Sequence, residues 1–165
     1  MIKASGVLSV TLVLLTGCLY SLSAGGGVPR HIKTVAVIPF DNQTTSSDLP
    51  NELLIELRKG IQAKLGLRDA PEGKASAVVR GTITRYEPDV AVAFSADPAR
   101  ATTARRRVSI AIDIEIVDQT TGRTLFERKG LSAEGEYAER AEDQGRKQAI
   151  QRIVTEIIEG TQSQW

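Results

Sequence analysis

Asp113 and Glu115, within the stretch VSIAIDIEIVD, are the nearest approach in this 165-residue chain to a pair of catalytic carboxylates. Two residues apart on a strand, they share one side with Cα atoms roughly 6.5–7 Å apart. That separation could suit the two acids of glycoside hydrolysis. The same alternation with isoleucine also describes a solvated strand face, and nothing else in the chain completes an active site. His31 is the only histidine. Standing at the edge of a linker, it can neither fill a multi-histidine metal site nor readily face a triad, and it reads as a solvated residue. Gly25-Gly26-Gly27 precedes no helix carrying a Lys-Ser/Thr pair, so it lacks the parts of a phosphate loop. A single cysteine, Cys18, excludes an internal disulfide and any zinc site built on two or more thiolates. Nucleophile with base, paired acids in a cleft and metal cluster are the ingredients of an enzyme. None is assembled here, and neither a cofactor nor a metal is expected.

Cys18 carries its meaning in its position. Lys3 is followed by an apolar run from Val7 to Leu15, too short for a hydrocarbon core that needs about 20 residues, and of the length of an export signal. The run ends in Leu15-Thr16-Gly17-Cys18, which resembles the bacterial lipobox. The resemblance implies cleavage before Cys18 and acylation of its thiol. At about 0.8 kcal/mol per buried CH₂, several acyl chains hold a protein to a membrane essentially permanently. Leu19 occupies the place where an Asp would mark retention in the inner membrane, which points to the outer membrane. Residues 1–17 are thus expected as a signal peptide and 18–30, including SLSAGGGVP, as a lipidated flexible tether. Residues 31–165 form one domain.

The most unusual local feature is the basic segment SADPARATTARRRVS. Arg100, Arg105, Arg106 and Arg107 place four guanidinium groups within eight residues, and guanidinium forks take phosphates bidentately. The segment could meet the head group of an anionic glycolipid, or it is a solvated hairpin tip. Without interleaved aromatics it is a poor platform for single-stranded nucleic acid. The formal charge of the whole chain is only +1, so any charged partner must be met by a local patch. Trp165 superficially resembles the end of an outer-membrane barrel strand. The residues before it make a helical stripe, and packing of a helix end or contact with a partner is the preferred reading.

The elements that position these residues are legible from period. Lys33 to Phe40, KTVAVIPF, reads as a covered strand stopped by Pro39. Leu53, Leu54, Leu57, Ile61 and Leu65 mark an amphipathic helix over Leu49 to Leu65, with Asp48 as N-cap, Pro50 in the first turn and Gly66 near the stop. A second strand runs from Ala77 to Tyr86, is interrupted at Pro88 by a bulge or bend, and resumes through Val90, Val92 and Phe94. Arg107 to Asp118 alternates most clearly, with Val108, Ile110, Ile112, Ile114 and Ile116 on the buried side. After the turn DQTTGR, Thr124 to Glu136 makes a fourth strand. A final helix over Glu139 to Gly160 gathers Ala149, Ile150, Ile153, Val154, Ile157 and Ile158 on one stripe. At 41% hydrophobic and 25% charged, the composition suits a single core. The expected architecture is an α+β two-layer sandwich: a mixed four-stranded sheet with two helices on one face, in the order strand, helix, strand, strand, strand, helix.

With that order in view, Cys18, Tyr20 and Ser21, then HIKTVAVIPFDNQT, then GTITRY, then the long alternating strand and terminal helix, together resemble the lipopolysaccharide-assembly lipoprotein family, LptE. The resemblance implies a non-enzymatic outer-membrane lipoprotein that plugs and helps assemble an LptD-type β-barrel and contacts lipopolysaccharide in transit, with basic residues of the arginine loop on the glycolipid. Its partners would be the barrel, lipopolysaccharide and, through the lipid anchor, the membrane. The opening VAVIPFDNQT also fits another periplasmic lipoprotein, one that activates a peptidoglycan synthase or forms a secretion-type ring.

Overall fold

The computed structural model describes residues 28–91, 106–138 and 140–163. The elements are β1 (Thr34–Val37), β2 (Asp41–Asn42), α1 (Leu49–Leu65), β3 (Arg68–Asp69), a single 3₁₀ turn at Glu72–Lys74, β4 (Ala77–Ala91), β5 (Arg106–Asp118), β6 (Thr124–Tyr137) and α2 (Glu142–Ser163). They build a mixed six-stranded sheet in the order β3-β1-β4-β5-β6, with β2 beside β4. β1 runs parallel to both β3 and β4, while β4, β5 and β6 form an antiparallel meander.

The α+β class, the mixed sheet and the two helices agree with expectation, and the strand count corrects it from four to six. The first expected strand, Lys33 to Phe40, holds β1 alone, and β2 follows it in the stretch DNQTTSSD, which has turn composition. Pro39 has no N–H to donate, so the ladder lapses there between Ile38, which donates to Val79 O, and Gln43, which donates to Ile83 O. β2 resumes beside Thr82 and Ile83. β3 is two residues long, too short to leave a period in the sequence. It forms because Gly66, in the left-handed region at φ 66°, turns the chain so that Arg68 and Ala70 donate to the carbonyls of Lys33 and Val35. Asp48 also differs from its expected role. It caps α1 by no side-chain bond, and its backbone carbonyl accepts from the N–H groups of Asn51 and Glu52.

One face of the sheet carries the core. Leu49, Leu53, Leu57 and Ile61 of α1, each at most 1% exposed, and the stripe of α2 from Ala149 to Ile158 pack on Val79, Ile83, Ile110, Ile112, Ile114 and Phe126. The register of β6 brings Gly135 against Gly145 of α2, where a Cβ on Gly135 would fall 1.8 Å from the Gly145 carbonyl oxygen. Helix and strand therefore meet backbone to backbone. A small second cluster of Ala36, Ala75 and Val78 covers the reverse face near β1. Over β4–β6 that reverse face presents Arg80, Thr82, Asp113, Glu115, Ser132 and Glu134, all at least partly exposed. The interruption expected at Pro88 is a bulge between Glu87 and Val90, and a further one lies between Ile83 and Arg85.

Candidate functional site

β4 and β5 position the basic segment by pairing up to Ala91 and Arg106. Arg100 and Arg105 lie outside the described residues, as do Cys18, Gly25 to Gly27, Val92, Phe94 and Trp165. Arg106 and Arg107 are the first residues of β5, and strand alternation sends them to opposite faces. On the side of Val108, Arg106 Nη1 lies 2.6 Å from Asp89 Oδ2. On the reverse side, Arg107 Nη1 lies 2.8 Å from Glu134 Oε2. The Tyr137 hydroxyl donates to Pro88 O and so ties the end of β6 to the bulge in β4. Burial, reinforced by Asp89 and Glu142, pushes the Tyr137 hydroxyl above its ordinary range. The two guanidinium groups are thus half-exposed and carboxylate-paired at the base of the hairpin, and a phosphate there would have to share them with Asp89 and Glu134.

A second polar cluster joins both helices to the sheet. Arg146 holds Glu52 through a fork, Nε to Oε2 at 2.9 Å and Nη2 to Oε1 at 3.0 Å, and also reaches Tyr86, Glu142 and Asp143. The Tyr86 hydroxyl donates to Glu142 Oε1, and burial pushes its pKa up to about 12. Glu52, first among its neighbours, holds the guanidinium cationic. Sequence reasoning missed this cluster. The four-residue spacing of Glu142 and Arg146 was its only signal, since Glu52 and Tyr86 come from distant elements.

Each residue first considered for catalysis has a structural partner. Asp113 Oδ1 accepts from the Gly130 N–H at 2.7 Å, where Gly130 at φ 64° makes a bulge in β6. Glu115 accepts from Arg80 and Thr124. Both acids line a shallow depression of about 360 Å³ together with a third acid, Asp41, and with Ile38, Arg80 and Lys129. His31 is exposed as expected, with a partner the sequence did not show. Its ring is half-exposed, yet Nε2 donates to Asp118 Oδ2 at 2.8 Å, and Asp118 is only 1% exposed. The Thr121 hydroxyl, His31 and the Thr120 and Thr121 N–H groups hold the Asp118 carboxyl well below the usual carboxylate range. Among the described residues no group of three or more His, Cys, Asp or Glu could hold a metal ion, and no helix is long and apolar enough to cross a membrane.

A sheet with one helix-covered face and one open, charged face is compatible with many binding modules, and the sequence profile decides among them. The profile of LptE, described as lipopolysaccharide-assembly, matches residues 32–159. The chain belongs to the LptE family. The LptE match runs from the residue after His31 into the last turns of α2, spanning every described element of the domain. Among curated proteins none matches the sequence.

Solved structures show the same fold at low identity. A single-substitution variant of PelC in its dodecamer, from Paraburkholderia phytofirmans, aligns with TM-score 0.55 at 16% identity over 84% of this chain and 93% of that one. The hypothetical protein CT253 of Chlamydia trachomatis aligns with TM-score 0.55 at 12% identity over 80% and 96%. Protein XCC0632 of Xanthomonas campestris gives 0.53 at 9% identity over 84% and 91%.

Proposed function

We propose that this LptE-family protein is a non-enzymatic lipoprotein, held by an acylated Cys18 at the periplasmic face of the outer membrane. There it plugs and helps assemble an LptD-type β-barrel and assists lipopolysaccharide on its way to the outer leaflet. The family match over residues 32–159 carries the reading. The open face of β4–β6 supports it, because a charged sheet surface suits the polar lumen of a wide barrel better than an apolar partner. Catalysis has no part in this role. Arg100, Arg105, Arg106 and Arg107 are the residues proposed to meet glycolipid phosphates, with Arg106 and Arg107 exchanging Asp89 and Glu134 for the ligand.

The test is a pull-down from outer membranes with a tagged chain that keeps Cys18, followed by mass spectrometry. A stoichiometric large β-barrel is expected. With the barrel in hand, Arg106→Ala with Arg107→Ala should lower glycolipid crosslinking several-fold while leaving barrel recovery intact. The shared fold with a subunit of the PelC dodecamer favours one other reading, a self-assembled ring. Recovery of rings, or of a cell-wall synthase, without a barrel would move the assignment there.

A further inference from the structure

At the pole where the described chain begins, a cavity of about 330 Å³ is lined by Val28, Pro29, Arg30, Ile32, Lys33, Lys64, Leu65, Gly66, Leu67 and Gln162. Three of these are cations, Arg30, Lys33 and Lys64, all exposed, and no Asp or Glu lines the cavity. Arg80, Arg106, Arg107 and Arg146 each face a carboxylate within 4 Å, whereas the three pole cations enter no ion pair among the described residues, and they differ from other unpaired cations such as Lys74 and Lys147 in lining one cavity together. α1 and α2 both end here, and their C-terminal carbonyls contribute about half an elementary negative charge each, so three cations leave the cavity net positive. Its floor is apolar, with Ile32 and Leu67 buried and Val28, Pro29 and Leu65 half-buried.

We infer that this pole is a headgroup site, in which Arg30, Lys33 and Lys64 take the phosphate of an anionic phospholipid while Val28, Pro29 and Leu65 meet its glycerol and upper acyl carbons. The inference rests on Cys18 as the membrane anchor. Nine residues lie between Cys18 and Val28, and ten fully extended residue steps reach about 35 Å at most. The anchor therefore keeps this pole within reach of the leaflet it occupies. Cations beside an anionic membrane surface bind it additively, and three of them give about a hundredfold preference. The site would fix the domain's orientation on the leaflet, which one flexible tether cannot do.

Native mass spectrometry of the full, membrane-extracted chain in detergent tests this, with phosphatidylglycerol or phosphatidylcholine titrated in. A single phosphatidylglycerol adduct is expected at least tenfold more readily than a phosphatidylcholine adduct, and its preference should vanish in the triple variant Arg30→Gln, Lys33→Gln, Lys64→Gln. These exposed, unpaired side chains should leave the melting temperature unchanged. Were the variant to misfold, loss of the wild-type selectivity in high salt would serve instead, since surface ion pairing is screened. Equal adducts with both lipids, or selectivity that survives the triple substitution or high salt, would overturn the site. The mass of the chain itself separates the two readings. An unacylated chain that still selects phosphatidylglycerol sinks the anchor and keeps the site, and an acylated chain without selectivity does the reverse.

Discussion

Asp118 shows how far a residue's role depends on neighbours that its own stretch of sequence does not display. It closes β5, is buried to 1% exposure, and collects the Thr121 hydroxyl, two backbone N–H groups and His31 from 87 residues away. Because these donors favour the charged form, its native pKa lies below the unfolded value of about 3.9. A depressed acid stabilises the fold above the unfolded value and loses that contribution as pH falls through the native one. Melting temperature should therefore drop as pH is lowered from about 5 toward 2 in the parent, and drop less steeply in Asp118→Asn, which should start lower at pH 7. Parallel curves would show that Asp118 contributes no such linkage. The sequence placed His31 and Asp118 in a linker edge and a turn, and neither environment announces a partner so remote. Asp113 and Glu115 illustrate the converse: their shared face was legible from alternation, and their occupation by Gly130, Arg80 and Thr124 was not.

Elements whose length exceeds the period of their pattern were readable from the chain. Leu53, Leu57 and Ile61 mark α1, and five alternating residues from Val108 to Ile116 mark β5, because burial on one face imposes 3.6- and 2-residue periods. β2 and β3 have two residues each, fewer than a pattern needs, and exist through long-range hydrogen bonds to β4 and β1. The bulge between Ile83 and Arg85 left no signal either, since Thr84 turns its hydroxyl to Ala111 O without proline or glycine. The Gly135–Gly145 crossing tests how tightly the layers are joined. A methyl at Gly135 must push into the Gly145 carbonyl, which is backbone and cannot rotate away. Gly135→Ala should therefore cost about 1–3 kcal/mol, the range for overpacking, read as a lowered denaturant midpoint at unchanged slope. The same substitution at Gly73, where a Cβ meets nothing within 4 Å, is the control expected to stay within about 0.5 kcal/mol.

At the scale of the whole molecule, the asymmetry of the sheet is what the chain offers a partner. Hydrophobic side chains on the helix-facing side are spent on the core, and the reverse side of β4–β6 keeps charge with no layer over it among the described residues. Charge content alone could not show this, since a net +1 conceals that Arg106 and Arg107 are matched to Asp89 and Glu134 while the cations of the opposite pole enter no ion pair among the described residues. If that open face lies against a barrel wall, its middle is the place to block. Ser132 is exposed on β6, opposite Ala111 of β5. Ser132→Arg adds a long cation there without touching the core, and exposed substitutions of this kind shift stability by no more than about 0.5 kcal/mol. Recovery of the barrel with the tagged chain should fall at least tenfold while the melting temperature stays within about two degrees of the parent. Undiminished recovery would place the barrel contact on another surface, and the polar helix face of α2 around Gln148, Gln151 and Thr155 would be the next to substitute.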